Sequence, residues 1–87
     1  MAEGLSIGRI GRIALTEVSG LVGCPAEGVT GVRRDGDGWW VTVEVLEMAR
    51  IPETTDVLGS YDVHVDADGN VTEYRRLGRH LRAQVET

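Results

Sequence analysis

Three groups of side chains in this 87-residue chain have types and spacing that bear on chemistry. The first is the row Asp62, His64, Asp66, where an imidazole stands between two carboxylates at every second position. On a strand such residues share one face, and they are metal-ligand types. Alternating polar residues are also what the wet face of any strand carries, and no metal ligand is assigned here. Asp66-Ala67-Asp68-Gly69-Asn70 opens like a calcium loop, but its glycine stands fourth where that loop needs it sixth, and no glutamate follows at the twelfth position. A hairpin turn accounts for it better. The second group is Cys24 with the acids Glu44 and Glu47. A catalytic thiol needs an activating neighbour, and Cys24, just before Pro25, shows none, so it reads as a small buried residue. Glu44 and Glu47 lie three steps apart, which on a strand puts them on opposite faces and excludes a paired-carboxylate site. Glu44 is expected to meet an arginine from a neighbouring strand.

The third group is the basic run Arg75, Arg76, Arg79, His80 and Arg82, with no acid between Tyr74 and Gln84. It is a candidate contact for RNA or an anionic surface, which makes a small RNA- or nucleoid-associated regulatory module one reading of the chain. Aromatic stacking platforms are scarce, and the plainer reading is a solvated end that pairs with acids of this chain or of a partner. Gly8 and Gly11 do not follow a strand, so they form no phosphate-cradling loop. No catalytic, cofactor-binding or metal-binding residue is assigned.

The charge balance weighs against nucleic acid. Fourteen acids and nine bases give a net charge of −5, which opposes non-specific attraction to nucleic acid and to anionic lipid. All the bases are arginines, a pattern that GC-rich codon usage produces by itself. A single cysteine excludes an internal disulfide. No run of about 18 apolar residues is present to span a membrane, and no secretory signal opens the chain. The expected compartment is the cytoplasm.

These groups are positioned by one helix and a set of strands. Ile7, Ile10, Ala14, Val18 and Leu21, with Ile13 beside them, form one apolar stripe at helical spacing, so a helix is expected over about 6–22. Ser6 is the expected N-cap, and Gly23 before Cys24-Pro25 the stop. Strands follow over about Val29–Arg34, Trp39–Met48, Val57–Asp66 and Val71–Arg76, a sheet of about 29–76. Asp35-Gly36-Asp37-Gly38 and Asp66 to Asn70 supply the hairpin turns, and Pro52 breaks the segment Ala49–Asp56 into a loop. Leu77–Val85 fits either a short C-terminal helix or a strand extension. The expected fold is α+β, a single domain over 1–87, with the N-terminal helix packed on one face of a four-stranded antiparallel meander. Trp39, Val41, Val43 and Val45 should face the helix, and Trp40, Thr42, Glu44 and Leu46 the uncovered side.

The segment Glu44-Val-Leu-Glu47-x-x-Arg50-Ile51-Pro52-x-Thr54-x-Asp56-Val57-Leu58-x-x-Tyr61-x-Val63, with Trp40 before it, resembles the core of the gas vesicle protein O family. So do Asp66-x-x-Gly69 and the tail Tyr74-x-Arg76-x-x-Arg79-x-x-Arg82, although members of the family often carry tyrosine where this chain has His80. The resemblance implies a non-enzymatic accessory protein of gas vesicle assembly, without a cofactor. Its implied partners are other gas vesicle proteins, accessory ones and the shell protein. The helix-then-strands order is also similar in architecture to PepSY-type domains.

Both lines lead to protein recognition. The uncovered sheet face, centred on Trp40 and flanked by Glu44 and Arg76, is the expected partner-binding surface, with Arg50 and Pro52 at its rim. The fourth strand leaves an edge on which a second copy could form a homodimer.

Overall fold

The structure, a computed structural model, describes residues 6–83. Helix α1 (Ile7–Val22) is followed by strands β1 (Ala26–Asp35), β2 (Gly38–Met48), β3 (Val57–Val65) and β4 (Val71–Leu81). The strands form one antiparallel sheet in the order β1-β2-β3-β4. The α+β meander expected from the pattern is the observed fold.

The helix begins and ends where the chain supplies its caps. The Ser6 hydroxyl accepts from the Arg9 amide at 3.2 Å, satisfying one of the free N–H groups of the first turn. Gly23 takes a left-handed φ of 72°, and the Gly23 and Cys24 amides both donate to the Ser19 carbonyl. Only the middle of the apolar stripe is covered. Ile10, Ala14 and Val18 are fully buried, whereas Ile7 and Leu21 at its ends are 59% and 57% exposed. At Gly11 the helix lies against β1, where even a methyl group would meet the Val29 side chain in ordinary contact at 3.4 Å.

The covered sheet face is a valine layer. Val41, Val43 and Val45 of β2 and Tyr61, Val63 and Val65 of β3 form the core with the three buried helix residues, and Val32, Trp39, Val71 and Cys24 pack at its margin. The β1–β2 turn places Gly36 at φ 62° ahead of Asp37, the glycine-first hairpin geometry. At the β3–β4 turn the Asp66 carboxylate accepts from the Asp68 and Asn70 amides at 2.9 Å, so Asp66 to Asn70 is the expected hairpin turn.

Two strands run further than periodicity indicates. β1 starts at Ala26, with register shifts between Ala26 and Gly28 and between Val29 and Gly31. β4 continues through Leu81 past a shift that leaves Leu77 without a partner between Arg76 and Gly78. Each extra residue inverts the alternation of faces and hides the strand from a period-two reading. Leu77–Leu81 is therefore strand, not the short C-terminal helix; residues 84–87 lie outside the described part.

The far end of the sheet is tied by Asp56, a nearly buried carboxylate. It accepts from the Arg50 amide at 2.7 Å and from the Arg82 side chain at 3.0 and 3.1 Å. Arg82 also donates to Glu27 of β1, at 3.2 Å through one nitrogen. The Arg50 amide, then Arg82, hold the Asp56 carboxyl below its usual pKa against the opposing effect of burial.

Candidate interaction face

The side of the sheet away from the helix is built by alternation: Arg33 of β1, Trp40, Thr42 and Glu44 of β2, Asp62 and His64 of β3, and Arg75 and His80 of β4. Their register brings them into three groups. At the centre is Asp62, only 5% exposed. Thr42 donates to one of its oxygens at 2.6 Å and Arg33 to the other at 3.2 Å, while a second Arg33 nitrogen reaches the Thr42 hydroxyl at 3.3 Å. Arg75 approaches the same carboxylate at 3.8 Å. A carboxylate withdrawn from water needs such partners to stay charged.

Trp40 is held beside that centre. His64 meets its indole edge-on, with ring centroids 5.0 Å apart, and the Arg75 guanidinium lies 5.7 Å from the ring centroid. His64 is itself fixed by Thr72 at 2.7 Å and by Asp35 at 3.3 Å. The third group is Glu44 with His80, at 3.0 Å. The surface is thus pre-ordered and largely polar, with a half-buried aromatic in the middle.

Several expectations are corrected by this geometry. Trp40 does lie on the helix-free face, but it is half-buried between His64 and Arg75 instead of standing free in solvent. Glu44 meets His80, not an arginine. Arg76 is on the opposite side, because it pairs in register with Tyr61 of the core face. There it binds both oxygens of Glu47, at 2.8 and 2.9 Å, and Glu47, followed by Tyr61, holds its pKa above the usual value. Trp40 and Glu44 therefore share a face, four residues apart along β2 with separate partners, and Arg76 lies on the other. Arg50 and Pro52 are exposed in the loop after β2, where the Arg50 amide is bound to Asp56.

Thr42 and Asp62 lie on the wet sides of their strands as expected, but Arg33 was not read as a member of this face. The available signal was the β1–β2 turn, from which the chain counts back in continuous register to set Arg33 opposite Trp40, before the shifts in β1 begin. The row Asp62, His64, Asp66 is absorbed by Arg33, Thr42, Thr72, Asp35 and the turn amides. Among the described residues no group of three or more His, Cys, Asp or Glu is placed to hold a metal ion. The basic run is also dispersed: Arg75 and His80 lie on the helix-free face, Arg76 and Arg79 on the other, and Arg82 at the sheet end, each beside an acid. Among the described residues no helix is long and apolar enough to cross a membrane.

Comparison with known proteins adds a family match over nearly the whole chain. The model of gas vesicle synthesis protein GvpO matches residues 1–86. Gas vesicle protein O of Streptomyces sp. (strain CB03234) is 43% identical over 76 residues, which is 87% of this chain and 59% of that protein. Gas vesicle protein O of Haloferax mediterranei is 40% identical over 52 residues, 60% of this chain and 37% of the relative. Gas vesicle protein O1 of Halobacterium salinarum is 35% identical over 60 residues, 69% of this chain and 50% of the relative. The chain thus spans between 37% and 59% of the length of these relatives. No solved structure matches.

Proposed function

The chain belongs to the gas vesicle protein O family, and we propose that it serves gas vesicle synthesis in the cytoplasm as a non-enzymatic accessory factor that binds other gas vesicle proteins. The observation that carries this reading is the helix-free sheet face. α1 covers one side of the sheet only, and the other side presents Trp40 among Arg33, Asp62, Arg75 and Glu44. An aromatic with arginines around it, already held in one geometry, loses little side-chain entropy on binding and is the composition of an interface centre. The partner-binding residues of this reading are Trp40 and Glu44 with Arg33 and Arg75. Arg50 and Pro52 extend the surface from the β2–β3 loop, and Arg76, engaged by Glu47 on the other side, supports the fold.

The test is co-purification of gas vesicle proteins from cells that make them alongside the tagged chain. Trp40→Ala is expected to lose the associated proteins while costing about 1 kcal/mol of stability, roughly 4–8 °C in Tm for a domain of this size. A folded Trp40→Ala variant that retains them all would contradict the reading.

A further inference from the structure

β4 is the last strand of the sheet, and its outer side meets no strand among the described residues. Residues 72–77 are all exposed, including Tyr74 at 41% and Leu77 at 50%. An edge of this length offers a row of main-chain donors and acceptors to a further strand.

The charges along that edge indicate which strand it would take. Asp62 is engaged by Arg33 at 3.2 Å and approached by Arg75 at only 3.8 Å. Glu47 is engaged by Arg76 at 2.8 Å and approached by Arg79 at only 3.6 Å. Two carboxylates therefore serve four arginines, and the two more distant ones are those with side chains 68% and 64% exposed. Arg75 projects on the helix-free side and Arg79 on the helix side, because the unpaired Leu77 between them inverts the alternation. The edge thus carries one loosely paired, largely exposed arginine on each face, with Glu73 two positions before Arg75 and a half-exposed leucine between the two arginines.

We infer that β4 is a docking edge for an extended acidic segment of another polypeptide, which adds as a fifth strand with a carboxylate on each face. A second copy of this chain fits less well: two β4 edges side by side set like charge against like, because each carries Arg75, Arg76 and Arg79 against the single acid Glu73. This inference does not depend on Trp40 binding a partner.

The probe is a ten-residue valine–threonine peptide with two glutamates three positions apart, one on each face when extended, titrated into the full isotope-labelled chain. Its counterpart carries lysines in place of the glutamates. Amide signals of residues 73–79 should shift and become protected from exchange with the glutamate peptide alone. Arg79→Glu and Arg75→Glu should each weaken binding by about tenfold, and the double variant should prefer the lysine peptide. Trp40→Ala should still show the glutamate peptide shifting and protecting residues 77–79, where Arg79 lies on the other face from the indole, which separates this edge from the helix-free face. No response along β4, equal binding of both peptides, a response confined to β1, or sedimentation as a dimer that Arg79→Glu leaves intact would each overturn the proposal. In the first case the arginines only keep the edge from pairing.

Discussion

Glu47 lies flat across Gly59 to reach Arg76. A methyl group on Gly59 would stand 2.5 Å from the Glu47 carboxyl carbon, so Glu47 keeps its present path to Arg76 over a residue without a side chain. The relationship joins β2 to β4 across β3, on the side of the sheet that carries Tyr61.

Gly59→Ala should therefore displace Glu47 and break its bond to Arg76. The loss in Tm should be non-additive: Gly59→Ala should cost distinctly less in a Glu47→Ala background than in the wild type. Thermal unfolding of the two single variants and the double variant checks this, and additive losses would show that Gly59 acts independently of the pair.

Gly38 presents a harder contact. A methyl group there would lie 2.6 Å from the Val65 carbonyl oxygen, which no side-chain rotation relieves. Gly38→Ala should cost about 1–3 kcal/mol by overpacking, measured by urea unfolding. A neutral result would mean that the β2–β3 pairing opens at that end without penalty.

The helix stripe should be energetically uneven. Val18→Ala removes fully buried methyl groups and should cost about 2 kcal/mol. Leu21→Ala, at a largely exposed position, should stay within about 0.5 kcal/mol. Urea midpoints of the two variants compare them directly; equal losses would place Leu21 in the core.

The sequence made the helix, its caps, the valine face and both hairpin turns readable because each follows a local rule: three- and four-residue spacing, a capping serine, glycine at positive φ, alternation along β2. It also placed Trp40 on the correct face. What it hid follows from the unpaired residues of β1 and β4, which reset the alternation, so neither the true ends of those strands nor the side taken by Arg76 could be counted out. The partners of Glu44 and Asp62 were hidden for a related reason. His80 and Arg75 come from β4, whose register is set by its shifts, whereas Arg33 stands opposite Trp40 in the part of β1 that counts directly from the turn.

Asp56 gives a dependence on pH with a definite sign. Its pKa is lower folded than the 3.8 of the free side chain, so its contribution to stability is complete above that value and disappears as pH falls through the lower folded one. Wild type should lose stability on acidification below about pH 4 more steeply than Asp56→Asn, which lacks the titrating group but retains an oxygen for the Arg50 amide. Tm measured against pH for both proteins checks this, and parallel curves would remove Asp56 from the acid transition.

Contact between the helix-free face and another gas vesicle protein, as proposed, can be captured by site-specific crosslinking. A photoreactive phenylalanine analogue is placed at Trp40 in one protein and at the exposed helix position Arg12 in another, in cells that make gas vesicles. The account predicts an adduct with a gas vesicle protein from position 40 and none from position 12. Adducts from position 12 alone would contradict it and put the contact on the helix side.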